Sequence, residues 1–108
     1  MNDIERFEEN PNVARYDVSP HPAGGNHLRV FFENNWGVSV IRHPYSYGGQ
    51  QGLFEIGILN GEGHIEYDNP VNAGGVIGWL TAEDVVAYIN VIANLDKREK
   101  EIEQGQDV

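Results

Sequence analysis

The sequence predicts an α+β fold: a four-stranded antiparallel β-meander packed by one C-terminal α-helix, with an irregular N-terminal arm. Short segments that alternate apolar and polar residues follow one another between turn residues, which is typical of antiparallel strands. One later segment carries apolar residues at helical spacing behind a capping signal. The first part of the chain has neither pattern. We therefore divide the chain into an irregular acidic arm at residues 1–27 and one α+β domain at residues 28–108.

Proline and glycine interrupt the N-terminal arm. Pro11, Pro20, Pro22 and the Gly24-Gly25 pair break any regular period there. We expect one short helical turn at residues 4–9, which Pro11 would end because proline cannot continue a hydrogen-bonded helix.

Four strands are predicted after the arm. Their turns are marked by Asn34-Asn35 and Asn60-Gly61, dipeptides that tolerate the positive φ of tight hairpins. In the fourth strand, Ile65 and Tyr67 are expected to face the core. The predicted strands are 28–33, 37–42, 53–59 and 64–67.

One helix is predicted, from capping residues at its N-terminus. Thr81 can cap the N-terminus while Asp84 reaches back, and Leu80 and Val85 can form a hydrophobic staple. Beyond Leu95 the pattern becomes charged and predicts a solvated helical extension. The residues before the cap, 76–79, are predicted to form a short buried strand or extended segment, with Trp79 packed beneath the helix.

Charge is distributed unevenly along the chain, whose formal net charge is −10. From His43 to Asp96 there is no Lys or Arg, yet there are seven carboxylates. This predicts a negative field of one sign, which repels nucleic acid and anionic lipid and favours partners with basic surfaces. The seven are Glu55, Glu62, Glu66, Asp68, Glu83, Asp84 and Asp96.

Several functional classes are excluded by composition. The chain has no cysteine, so it has no disulfide framework and no thiolate metal site. No apolar run approaches the length of a membrane span, and the acidic start does not resemble a signal peptide. These features predict a soluble, cytoplasmic protein that binds neither membrane nor nucleic acid directly.

Catalytic and metal-binding patterns are not found. The segment 74–78 is rich in glycine but lacks the lysine of a phosphate-binding loop. The four histidines are interpreted as scattered loop or surface residues, because their spacing matches no metal motif. We therefore predict no enzymatic activity, no catalytic residue, no metal and no cofactor. The histidines are His21, His27, His43 and His64.

The loop from His43 to Gly52 is the best candidate for a binding site. It joins two strands that a two-residue turn could have joined, so its length requires a reason. Tyr45 and Tyr47 lie there among glycines. Either they are exposed recognition residues or they fold back onto the open face of the sheet. Trp36, at the tip of the first predicted hairpin, could add a third exposed aromatic side chain.

The acidic residues of the second predicted hairpin have two interpretations as well. Glu55, Glu62, Glu66 and Asp68 could form a docking patch for Arg and Lys of a partner, or a phosphate-spacing mimic. Alternatively they form an ordinary solvated face. Glu83 and Asp84 lie in the first helical turn, where they offset the helix dipole.

Three segments of the sequence resemble a known group of proteins. They are residues 35–43, then 45–49 with 52–55, and finally 76–85. Together they are similar to small uncharacterised proteins encoded by bacteriophages and prophages. The resemblance covers residues 30–95. It implies a context of host defence, since small acidic phage proteins without enzyme motifs are often inhibitors of host defence, including anti-CRISPR proteins and nucleic-acid mimics.

The leading hypothesis is therefore a small acidic phage-type inhibitor that binds a basic, nucleic-acid-binding surface of a host defence protein, such as a CRISPR effector. In that case the host cytoplasm is its location. The alternatives are a small-molecule binder that sequesters a nucleotide signal at the glycine-rich loops, and a minor phage structural or assembly protein.

Overall fold

The computed structural model describes residues 10–98, which form a five-stranded antiparallel sheet and one α-helix. The strands are ordered as a meander, each beside its neighbour in sequence. A 3-10 turn lies between β3 and β4. The elements are β1 Val13–Pro20, β2 Asn26–Phe32, β3 Trp36–Ile41, the 3-10 turn Gly49–Gln51, β4 Phe54–Asn60, β5 Val76–Leu80 and α1 Ala82–Ala93.

The α+β class, the antiparallel sheet and the C-terminal helix are confirmed, but the sheet has five strands instead of four. The first three predicted strands correspond to β2, β3 and β4. The turn between β2 and β3 is also as expected, since Asn35 has a φ of 70°.

The prediction of an irregular arm is wrong for residues 13–20, which form the edge strand β1. Its charged residues concealed the strand pattern: Arg15 and Asp17 lie on the face that α1 does not cover, opposite Phe31 and Arg29 of β2. Charged side chains are common on edge strands, because they oppose pairing of the free backbone edge with another chain. The expected helical turn at residues 4–9 lies outside the described residues.

The predicted strand at residues 64–67 is also wrong, because Ile65 makes a single bridge to Leu59 and the chain then leaves the sheet. Asn60 starts this departure: its side-chain oxygen accepts hydrogen bonds from the N–H groups of Glu62 (2.9 Å) and His64 (3.1 Å). The fifth strand is formed instead by Val76–Leu80.

The main core lies between α1 and one face of the sheet. The inward residues of β2, β3 and β4 pair across the ladders and are almost fully buried. The apolar stripe of α1 covers them. The core residues are Leu28, Val30, Phe32, Trp36, Val38, Val40, Phe54, Ile56, Ile58, Leu80, Val85, Ile89, Ile92 and Ala93.

The second face of the sheet is covered in part by the segment 61–75. Gly57 of β4 carries no side chain, and the Ile65 side chain occupies the space above it; a Cβ on Gly57 would lie 2.6 Å from Ile65 Cδ1. Nearby, Phe31 is buried over Gly37, and the Arg15 guanidinium lies 3.8 Å from the Phe31 ring centroid. The β4 strand is therefore enclosed on both sides.

The predicted helix start is confirmed as a full capping box. The Asp84 N–H donates to Thr81 Oγ1 (3.1 Å), and the Thr81 N–H donates to the Asp84 carboxylate (3.0 Å). The predicted helical extension is wrong for residues 96–98, since α1 ends at Ala93. The Arg98 N–H instead donates to the Asn34 carbonyl (2.8 Å), which turns the chain back onto the sheet. No helix within residues 10–98 is long and apolar enough to cross a membrane.

Replacing the cap residue should weaken the fold by a predictable amount. Thr81→Ala removes the side-chain oxygen that accepts the Asp84 N–H, and it should lower the free energy of unfolding by about 1 kcal/mol. Thr81→Ser keeps the oxygen and should stay close to the wild-type value. Urea unfolding measures both, and equal stability of the Ala and Ser variants would contradict the capping role.

Candidate recognition site

The loop between β3 and β4 is held in one shape by its own polar groups. The His43 N–H donates to Ser46 Oγ (3.0 Å), and the Ser46 hydroxyl donates back to the His43 carbonyl (2.9 Å). The Tyr47 N–H donates to Glu55 Oε1 (2.9 Å). These bonds bury Ser46 and leave Tyr45 81% and Tyr47 62% exposed. Of the two alternatives for the tyrosines, the structure has the exposed one.

Trp79 lies beside this loop, at an irregularity in the pairing of β4 with β5. The register shifts between the Phe54–Leu80 and Ile56–Ile77 pairs, so that Gly78 and Trp79 stand opposite Glu55 alone. Such a bulge redirects a side chain out of the regular pleat. Trp79 has a φ of 62°, and its side chain is 59% exposed.

Two glycines let the loop and the bulge interlock. Tyr47 packs where a side chain on Gly78 would project, and Trp79 packs over Gly48, whose added Cβ would lie 3.0 Å from Trp79 Cα. The Trp79 N–H also donates to the Tyr47 carbonyl (3.2 Å). These contacts join Tyr47 to Trp79, and Tyr45 is the other exposed aromatic residue of the same loop. The three residues are here called the aromatic patch: Tyr45, Tyr47 and Trp79.

The predicted environments of three aromatic side chains, Trp36, Trp79 and Tyr67, are wrong. Trp36 is 7% exposed and belongs to the core, so it offers no surface to a partner. The Arg98 guanidinium lies 5.5 Å from its ring centroid. Trp79 does not pack beneath the helix, and Tyr67 is 67% exposed instead of facing inward. The sequence signal for Trp79 was the preceding glycine in an otherwise apolar strand, which marks a bulge.

The four acids predicted to form a docking patch are in different situations. Glu55 accepts the Tyr47 N–H and so supports the aromatic patch. Glu66 forms an ion pair with Arg98, and these two side chains are 17% and 16% exposed. Glu62 and Asp68 are exposed. The pair Glu66 and Asp68 does not share a strand face, because residues 64–67 are not a strand.

Two arginine side chains, one from β1 and one from β2, lie next to the acidic segment around Glu62. The Arg15 guanidinium donates to the Gly61 carbonyl (3.2 Å), next to Glu62. Arg29 pairs with Asp17 at 3.1 Å, and its guanidinium lies 3.6 Å from where a Gly63 side chain would begin. The acidic surface is therefore interrupted by arginines that are distant in sequence, and the expected field of a single sign is weaker at this hairpin than the sequence predicts.

Three of the four histidines are brought together, although their spacing suggested that they were scattered. The His21 and His43 rings stack with centroids 4.3 Å apart, and His27 approaches His21 edge-on at 6.1 Å. Stacked imidazoles cannot aim their in-plane lone pairs at one ion. Within residues 10–98 no group of three or more His, Asp or Glu side chains could hold a metal.

Comparisons of the chain with protein-family models, with curated proteins and with solved structures find no match. The candidate site therefore rests on its own geometry.

The backbone at Trp79 can be tested for strain with two substitutions. Trp79→Ala and Trp79→Gly both remove the indole, but glycine tolerates the positive φ that alanine resists. The Gly variant should therefore be more stable than the Ala variant by about 1 kcal/mol in urea unfolding. The matched pair Tyr45→Ala and Tyr45→Gly, at a residue without positive φ, should show no advantage for glycine. Equal stability of the two Trp79 variants would contradict the strain.

Proposed function

We propose that this protein is a small binding domain that recognises a partner protein through the aromatic patch, and that its negative charge directs it to a basic surface. The observation that carries the proposal is Trp79. A bulky residue with positive φ costs folding free energy, and an exposed indole recovers little of that cost by burial. Such a residue is expected where the side chain serves binding.

The composition of the patch supports protein recognition. Tyr and Trp are the residues most enriched at the energetic centres of protein interfaces, because they bury a large area for few rotatable bonds. The patch stands on a strand bulge and on a loop that is held by Ser46 and Glu55. Recognition residues on such a preorganised support lose little conformational entropy on binding.

The charge of the chain favours a basic partner. Residues 10–98 contain nine carboxylates against five Lys and Arg, and the remainder of the sequence contains eight against two. The excess of negative charge therefore comes from the ends of the chain as well as from the domain. A net charge of −10 accelerates encounter with a positive surface over distances of about one Debye length.

The partner class that we propose follows from charge and from the resemblance to small phage proteins. It is a nucleic-acid-binding protein of host defence, such as a CRISPR effector, whose basic surface the domain would occupy. In this proposal the aromatic patch supplies affinity, and the exposed acids Glu62 and Asp68 supply steering.

The aromatic patch is tested by binding to purified CRISPR effectors in biolayer interferometry. Combining Tyr45→Ala, Tyr47→Ala and Trp79→Gly should weaken binding at least about 100-fold, because truncation of an interface anchor costs about 2 kcal/mol or more. The control combines Tyr16→Ala with Tyr67→Ala, two exposed tyrosines outside the patch. Equal loss in both variants would refute the patch, and absence of binding by the wild type would refute the partner class.

Steering by charge is tested separately. Glu62→Lys with Asp68→Lys should slow association about tenfold at low salt and change the dissociation rate little, because rim charges act mainly on encounter. The neutral pair Glu62→Gln with Asp68→Asn should give an intermediate rate. Glu66 is left intact because it pairs with Arg98. Association rates that are independent of both salt and these substitutions would contradict a basic target.

A further inference from the structure

The histidine cluster, defined as His21, His27 and His43, joins two separate parts of the chain. His21 lies in the turn between β1 and β2, and His43 begins the loop that carries Tyr45 and Tyr47. Their rings stack at 4.3 Å. Next to them, Gly24 faces Pro44, with an added Cβ 3.7 Å from the Pro44 ring. The loop from His43 to Gly52, here called the recognition loop, is thus packed against the β1–β2 turn through the two imidazoles.

Both stacked rings accept a backbone hydrogen bond at Nδ1. The Ala23 N–H donates to His21 Nδ1 (3.0 Å), and the Tyr45 N–H donates to His43 Nδ1 (3.1 Å). In both contacts Nδ1 is the acceptor, a role that a ring nitrogen can fill only while it carries no proton. Adding a proton to either Nδ1 would set two N–H donors against each other and open the local turn.

His27, on β2, is the third member and lies partly buried beside His21. Burial, first, and then the charges of Arg29 and His21 lower the pKa of His27 below its ordinary value, while Asp17 opposes this shift. The neutral form of His27 is therefore favoured by the folded structure.

The charged groups around the cluster have both signs. Arg29 and Asp17 pair with each other on β2 and β1. Arg42, adjacent to His43, places its guanidinium 4.6 Å from the Phe54 ring centroid. Glu55 stands opposite Ile41, the neighbour of His27 on β3, and accepts the Tyr47 N–H. Tyr45 lies on the other side, with its ring 6.4 Å from that of His43. Within residues 10–98, neither Asp17 nor Glu55 accepts a hydrogen bond from these imidazoles.

We propose that the histidine cluster is a proton-sensitive latch: neutral imidazoles hold the recognition loop against the β1–β2 turn, and their protonation releases it. Two neighbouring imidazolium rings repel each other, and a proton on Nδ1 also removes a backbone hydrogen bond, which at His21 shapes the β1–β2 turn and at His43 shapes the loop. Regulation of partner binding by this latch rests on the proposed function, whereas the latch itself belongs to the free protein.

The direction of the pH effect on stability follows from the lowered pKa of His27. A histidine whose pKa is lowered by folding leaves stability unaffected at high pH, where it is neutral in both states. Stability falls as the pH drops through the unfolded value of about 6.5 towards the lower folded value, because the unfolded chain binds the proton more readily. The latch should therefore open on acidification.

The test is an NMR titration of the free protein from about pH 8 to about pH 5, the range in which histidine changes charge. Imidazole resonances report protonation, and backbone amides of residues 44–48 report the loop. We expect the loop amides to shift together with the cluster imidazoles. The folded-to-unfolded ratio from urea unfolding should also fall over the same range, because folding lowers the pKa of His27.

The matched variants are His21→Asn with His43→Asn, because an asparagine oxygen can accept the same N–H two residues on without titrating. This pair should remove the pH dependence of the loop amides, whereas the contribution of His27 to the pH dependence of stability should remain. His64→Asn, an exposed histidine outside the cluster, should behave as wild type. If the paired variant fails to fold, the wild-type titration decides alone: loop amides that stay still while the imidazoles titrate would overturn the latch.

These measurements involve no partner, so they separate the two proposals. A working latch in a protein whose binding ignores the aromatic patch would refute the proposed function alone. A loop indifferent to pH in a protein that binds through the patch would refute the latch alone.

Discussion

The enclosure of β4 on both faces is the constraint on which this structure depends. Ile56 and Ile58 lie under α1, while the Ile65 side chain covers Gly57 on the opposite side and Ile65 pairs with Leu59. The backbone groups of an inner strand must be satisfied by pairing. On one side β3 pairs along β4, and on the other β5 pairs with its first half while Gly75, Glu66 and His64 bond Ile58 and Asn60. The helix, the covering segment and both neighbouring strands are arranged around it.

Glu55 is the only charged residue of β4. It is the second residue of the strand, where the covering of both faces ends. The β5 strand bulges opposite it, and the Glu55 carboxylate accepts the Tyr47 N–H from the loop. The interruption of the regular sheet and the position of the aromatic patch therefore have a common origin. A bulge releases Trp79 from the pleat, and the glycines Gly48 and Gly78 give it and Tyr47 room to pack side by side.

The same loop is bounded by the aromatic patch on one side and by the histidine cluster on the other. Its short internal bonds, between Ser46 and His43 and from Tyr45 to His43, run between the two. A change in the protonation of His43 would therefore act directly on the backbone that presents Tyr45. The loop contacts both the β1–β2 turn and the β5 bulge, and a two-residue turn would be too short to reach them.

The local patterns of the sequence determined β2, β3, β4 and the capped start of α1, because alternation, turn dipeptides and capping residues act between near neighbours. They could not identify β1, whose charged face conceals an edge strand, nor the burial of Trp36. Gly78 in an apolar strand marks the bulge, but only the pairing of β4 with β5 decides that Trp79 is exposed. Tertiary structure alone decided the pairing of Glu66 with Arg98 and the stacking of His21 on His43. These contacts join residues 32 and 22 positions apart, and no local preference encodes such a distance.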